Sequence, residues 1–317
     1  MGKKLKIIFC IVTVLALILT ASLLLGSSYL ESIVFSPVSP EKCLDSEYYV
    51  SAGVNQKTDS DKSYLWLTEN AEAVSIQSAD NICLNAYLIK NESHSYGIFM
   101  HGYRADVRSI SSYAQHFFER GYCALVPGQR GHGWSEGDFI DMGFLCAQDV
   151  KSWSEFIAAS DPDSKIFLFG VSMGAASVMT ATSLELPAQV VCAVEDSGYT
   201  SAYEEMAHVL YRDYGLPAEP LLSAAALFFK FRSGLSLKDI CPLDSVARSK
   251  IPTLFIHGTA DDYVPFTMLS ELYDAARCDK EKLEVPEATH ARAAFLMPEL
   301  YWEKTDAFVE KWIAGEL

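Results

Sequence analysis

The stretch Lys165-Ile-Phe-Leu-Phe-Gly-Val-Ser-Met-Gly-Ala-Ala-Ser-Val-Met179 constrains this chain more than any other, because a short apolar run passes into a small-residue helix through Gly170-Val171-Ser172-Met173-Gly174. Ile166 to Phe169 has the length and the apolar, partly aromatic make-up of a strand buried on both faces. Ala175 to Leu184 suits a helix packed on a sheet. Ser172 therefore falls at a strand-to-helix turn. Such a turn forces its central residue into a strained backbone conformation and pushes the hydroxyl into the open, while the flanking glycines leave room for neighbouring elements. The five-residue pattern is short, so its strand-turn-helix context is what makes Ser172 a candidate nucleophile.

The surrounding sequence supplies the sheet this turn needs. Period-2 alternation begins near Glu72, with Val74 to Ser78, a turn at Ala79-Asp80-Asn81, and Ile82 to Ile89, which reads as two antiparallel strands. Apolar strands then alternate with helical stretches: Tyr96 to Met100, a helix over Ser109 to Arg120, Cys123 to Val126, a helix over Leu145 to Ala158, and the strand leading to Ser172. Further strands are expected at Val190 to Val194, Ile251 to Ile256 and Lys282 to Val285. Alternation of this kind implies a mostly parallel α/β sheet of about eight strands with helices on both faces. The segment Ser197 to Lys250 is too long for a simple crossover and reads as a crossover helix plus a small helical cap. Its Tyr199, Tyr203, Phe228 and Phe229 fit core packing of that cap better than a binding wall.

The N-terminus has a different character. Lys3-Lys4-Leu5-Lys6 precedes Ile7 to Leu25, an uncharged run of about the length that crosses a bilayer. The run exceeds the apolar core of an ordinary secretory signal, which favours an uncleaved anchor, although Thr20-Ala21-Ser22 and Gly26-Ser27-Ser28 offer small residues to a peptidase. The basic cluster before it and Glu31 after it place the N-terminus in the cytoplasm and the remainder outside. The expected organisation is an anchor or signal over residues 1–28, a polar juxtamembrane connector with room for one short helix over 29–70, and an α/β domain over 71–317 whose cap covers about 197–250.

A formal net charge of -16 argues against nucleic acid and anionic membrane surfaces as partners. The eight cysteines form no C-x-x-C pair and have no metal-ligand spacing with histidine, so neither a zinc site nor a disulfide framework is implied.

A serine hydroxyl is a weak nucleophile near neutral pH and needs a base within hydrogen-bond reach, normally a histidine oriented by a carboxylate. Such groups gather beyond the carboxyl ends of parallel strands. Of the seven histidines (His94, His101, His116, His132, His208, His257 and His290), His290 lies a few residues past the last expected strand and before the final helix, which is the place for a base on a loop. Asp261 and Asp262 follow the Ile251 to Ile256 strand, and Asp196 follows Val190 to Val194; each is a candidate acid. The chain order serine, aspartate, histidine suits this type of sheet. The backbone N–H of Met173 and that of Tyr103, in the turn after Tyr96 to Met100, are the expected donors to a tetrahedral oxyanion.

These residues resemble the alpha/beta-hydrolase superfamily, in particular bacterial serine hydrolases of the esterase, lipase and S33-aminopeptidase-like group. The resemblance covers about residues 72 to 315 and rests on His101-Gly-Tyr103, Pro127-Gly-Gln-Arg-Gly-His-Gly-Trp-Ser135, Gly170-Val-Ser-Met-Gly174, His257-Gly-Thr-Ala-Asp261 with Val264-Pro265, and His290. It implies Asp261 as the acid, three residues before the Val-Pro pair, and a structural role for His132. Gly128 departs from the acidic residue that many relatives carry. The expected activity is hydrolysis of an ester through an acyl-enzyme, without metal or cofactor, on a small acyl ester substrate. The alternatives are a peptidase or acyltransferase acting on a cell-envelope component, and a membrane-anchored binding protein that keeps the fold without the chemistry.

Overall fold

The computed structural model describes residues 3–39 and 56–315. In chain order its elements are α1 (Lys3–Phe35), α2 (Gln56–Asn70), β1 (Glu72–Gln77), β2 (Cys83–Ile89), β3 (Ser95–Met100), α3 (Val107–Phe118), β4 (Cys123–Pro127), α4 (Phe144–Ser160), β5 (Lys165–Val171), α5 (Met173–Ala181) and β6 (Val190–Asp196). There follow α6 (Ala202–Tyr214), α7 (Leu221–Ser233), α8 (Pro242–Val246), β7 (Thr253–Gly258), α9 (Thr267–Ala275), β8 (Lys280–Val285), α10 (Ala293–Leu296) and α11 (Pro298–Ala314).

Among the described residues the strands form one eight-stranded sheet in the order β1-β2-β4-β3-β5-β6-β7-β8. β1 and β2 pair antiparallel, as does β2 with β4, and every pair from β4 to β8 is parallel. Strand periodicity divides the core between the two faces. On β5, Phe167, Phe169 and Val171 join the layer formed with α3 and α11, whereas Ile166 and Leu168 join that formed with α4 and α5. The mostly parallel α/β architecture expected from the alternation of elements is the one observed.

Residues 197–250 carry α6, α7 and α8, and the first two cover the carboxyl end of the sheet through a separate core that includes Met173, Tyr199, Leu210, Leu222, Phe229 and Val264. Tyr199 is buried and its hydroxyl donates to the Met142 carbonyl at 2.9 Å, so it braces the cap.

The helices around the expected division at residue 28 run as follows. α1 does not stop near residue 28 but continues to Phe35, because its last turns acquire a partner in α7. Ser27 Oγ donates to the Leu221 carbonyl at 3.2 Å, Arg232 pairs with Glu31 at 3.0 Å, and Phe35 stacks on Phe229 with ring centroids 4.0 Å apart. The expected connector also contains the 15-residue helix α2, which packs on α3 and takes up the polar Thr58 to Lys62 patch. The part of the connector over 40–55 lies outside the described residues.

Candidate active site

The turn between β5 and α5 adopts the strained geometry the sequence implied: Ser172 has φ 57° and ψ -119°. Its N–H donates to the Asp196 carbonyl at 2.8 Å, and its own carbonyl accepts from the Ala176 N–H at 3.0 Å. The flanking glycines are needed for space. A Cβ on Gly170 would lie 2.2 Å from the Gly174 carbonyl oxygen, and one on Gly174 would lie 2.1 Å from that of Met100. Ser172 sits directly before α5, so unpaired N–H groups and the positive end of the helix dipole face the space above it.

The loop after β8 delivers His290, whose Nε2 lies 2.9 Å from Ser172 Oγ. The loop after β7 delivers Asp261, whose Oδ2 lies 2.8 Å from His290 Nδ1. The structure thus brings Ser172, His290 and Asp261 into one hydrogen-bonded chain, with all three less than a tenth exposed. Asp262 is exposed and takes no part. Asp196, the other rival, is buried on the far side of the turn, where it accepts from the Ser197 hydroxyl at 2.8 Å and the Tyr301 hydroxyl at 2.9 Å.

Asp261 is held on every side. Its Oδ1 accepts from the N–H groups of Tyr263 and Val264 at 3.0 and 2.9 Å, and its Oδ2 also meets His257 Nε2 at 3.2 Å. Burial by itself would raise its pKa, but the imidazoles of His290 and His257 outweigh that and hold the carboxyl below its usual range. Behind it, Glu195 is fully buried; one carboxylate oxygen accepts from the Gly198 N–H at 3.0 Å, and burial pushes its pKa up to about 8. Glu195 and His257 form a back wall that motif reading did not assign. His257 enters the sequence reading only as a competing histidine and as the first residue of the His257-Gly-Thr-Ala-Asp261 motif, and Glu195 carries no local signal because burial alone gives it its character.

The turn after β3 lies against the serine: a Cβ on Gly102 would be 3.4 Å from Ser172 Cβ. Two histidines fix this turn. His101 Nδ1 donates to the Gly102 carbonyl at 2.9 Å while its Nε2 accepts from the Gln129 N–H at 3.0 Å. His132 Nε2 accepts from the Arg104 N–H at 3.1 Å while its Nδ1 donates to the Arg130 carbonyl at 3.0 Å. Burial pushes the His132 pKa down to about 3, so it stays neutral and can accept. Arg130 lies buried between Asp149 and Asp80, at 2.6 and 2.8 Å, which anchors the loop that carries His132.

Above the serine opens a cleft of about 270 Å³, lined by Tyr103, Tyr113, Arg212, Tyr263 and Phe295 as well as Ser172 and His290. Tyr203 and Phe229 of the cap do not line it. Tyr203 bonds Glu219 at 2.6 Å and Phe229 packs against Phe35, which accords with the core role expected for them. The site thus places a serine hydroxyl in contact with an imidazole, a carboxylate on the other ring nitrogen, and a helix N-terminus beside the serine.

Comparison with known proteins gives consistent neighbours. Residues 92–211 match the family described as "Serine aminopeptidase, S33". An uncharacterised Bacillus subtilis protein, YqkD, is 28% identical over 195 residues, covering 61% of this chain and 64% of that protein, just under two thirds of its length. The alpha/beta hydrolase domain-containing protein WAV2 of Arabidopsis thaliana is 26% identical over 254 residues, 76% of this chain and 79% of that protein. Among solved structures, the Pyrococcus furiosus esterase Pf2001 superposes with a TM-score of 0.63 at 24% identity, covering 78% of this chain and 95% of that one. Est1E from Butyrivibrio proteoclasticus, solved with ferulic acid, gives 0.59 at 22% identity, covering 76% and 99%.

Proposed function

We propose that this chain, which has the alpha/beta-hydrolase fold and matches the S33 family over residues 92–211, is a membrane-anchored serine hydrolase that cleaves a carboxylic ester through an acyl-enzyme. The observation that carries this reading is the contact of 2.9 Å between Ser172 Oγ and His290 Nε2, with Asp261 on the other ring nitrogen.

With Nδ1–H directed at Asp261, His290 presents the Nε2 lone pair to the serine hydroxyl. Ser172 Oγ attacks the ester carbonyl as its proton passes to Nε2, and the carbonyl oxygen takes up the negative charge between the N–H groups of Met173 and Tyr103. One such donor is worth roughly 10²–10³ in kcat. Collapse expels the alcohol, which receives the proton from His290. Water then enters, gives a proton to Nε2 and attacks the acyl carbon, and the second collapse releases the acid and restores Ser172. The S33 match and the chemistry of such a triad also suit an amide bond, so a peptidase acting on a cell-envelope component is the second reading.

A cleft of about 270 Å³ is at the small end of ligand pockets and favours a short acyl group. The uncharged Ile7 to Leu25 run in α1 suits a single-pass anchor with the site outside the cytoplasm, or a signal removed on secretion. The reading is tested with nitrophenyl esters of graded chain length, alongside anilide and peptide controls. Ester turnover should be highest for short acyl chains and fall by at least ~10³-fold in Ser172→Ala. Ester turnover indifferent to Ser172→Ala, or none at all, points to a binding role instead. Anilide turnover exceeding ester turnover moves the assignment to the peptidase.

A further inference from the structure

An α-helix ends with four carbonyls that have no partner within the helix, and its negative dipole end favours a cation. α1 has no basic residue in its last turn. Those groups are supplied by the catalytic domain. The Ile33 carbonyl accepts from Arg104 Nη1 at 3.1 Å and the Val34 carbonyl from the Tyr103 hydroxyl at 2.8 Å. The Phe35 carbonyl accepts from the Ile140 N–H at 2.8 Å and from Arg232 Nη2 at 3.1 Å. The chain then adds a short parallel pairing of Val38 with the His132 loop, in which Val38 N–H donates to the Gly131 carbonyl and Gly133 N–H to the Val38 carbonyl, both at 2.9 Å.

Tyr103 and Arg104 follow Gly102 in the turn that lies against Ser172, both line the cleft, and Arg104 holds a left-handed φ of 53°. The residue whose N–H is the proposed second oxyanion donor, Tyr103, thus also caps α1 through its side chain, together with its neighbour Arg104. We propose that the C-terminal end of α1 is a brace for the oxyanion turn, with the Tyr103 hydroxyl and the Arg104 guanidinium as positioning residues that hold the Tyr103 N–H on the developing oxyanion. The proposal rests on the serine-hydrolase reading above and adds a dependence of the chemical step on the docking of the N-terminal helix.

The test uses the full chain in detergent micelles. Tyr103→Phe deletes the hydroxyl and keeps the amide. It should lower kcat about tenfold with KM within about twofold, because an interaction that tightens only in the transition state is lost. Affinity for a trifluoromethyl ketone, which forms a tetrahedral adduct on the serine, should weaken by a similar factor. Phe35→Ala, which removes the stack on Phe229 and loosens the end of α1, should reduce kcat in the same way. Its effect should largely vanish in the Tyr103→Phe background, since both act through one contact. Arg104→Gln provides a further variant with the same expected signature, should Tyr103→Phe fail to fold.

Unchanged kcat with a raised KM overturns the brace, since the hydroxyl would then only line the cleft. Fully additive effects of Tyr103→Phe and Phe35→Ala overturn it as well. Wild-type turnover that Ser172→Ala abolishes keeps the hydrolase reading intact whichever way these variants fall.

Discussion

Asp261 is buried with both carboxylate oxygens engaged, whereas Asp262, next to it in the chain, is exposed. Asp261→Asn should therefore lower kcat by roughly 10³–10⁴, because the amide no longer fixes the His290 tautomer, while Asp262→Asn should change it by less than about threefold. Steady-state kinetics of the two variants decide between them. Glu195 gives a pH prediction. The folded chain keeps its proton up to about pH 8, while the unfolded chain loses it near the ordinary value of 4.5. Between those values the unfolded state binds fewer protons, so the stability contributed at this site falls as pH rises and levels off above about 8. Melting curves from pH 5 to 8 should show a steeper fall for wild type than for Glu195→Gln, and parallel curves would show that this carboxyl ionises normally. Ser172, His290 and Asp261 were legible because each sits on a loop at a strand end with a recognisable neighbour pattern. Glu195 and His257 were not, since what distinguishes them is a buried position that only the fold creates.

Strands and helices were readable where burial imposes a period. β5 is apolar at every position from Ile166 to Phe169 because both faces are covered, and α3 shows an apolar stripe through Val107, Ile110, Ala114 and Phe117. α2 lacked that signal. Its sequence is mostly polar, and it is held by a few large side chains, Tyr64, Trp66 and Leu67, packed on the core beside α3. The end of α1 is hard to read from sequence for a related reason: its last turns pack on α7, which lies nearly two hundred residues downstream. At this scale the β5–α5 junction makes the sharpest prediction. Gly174→Ala places a methyl group where the Met100 carbonyl already sits, and backbone on both sides cannot yield. The variant should lose at least ~3 kcal/mol of stability, read by chemical denaturation, together with its activity. An alanine variant of wild-type stability would mean that β3 and α5 are farther apart than described.

Across the whole molecule, a net charge of -16 contrasts with an α1 that is long and apolar enough to cross a membrane, and the proposed anchoring makes a topology prediction. With Lys3, Lys4 and Lys6 ahead of the apolar run, protease added to intact cells should digest the part beyond residue 40, and full protection of that part would reverse the orientation. On the proposed reading the apolar helix that would anchor the protein is itself docked, since its C-terminal end meets the cap and the turn after β3. Activation of Ser172 by His290 is tested by covalent labelling with a fluorophosphonate followed by peptide mass spectrometry. A single residue, Ser172, should be modified, rapidly in wild type and at least ~10³-fold more slowly in His290→Ala. Modification at another residue, or equal labelling rates in the two proteins, would contradict it.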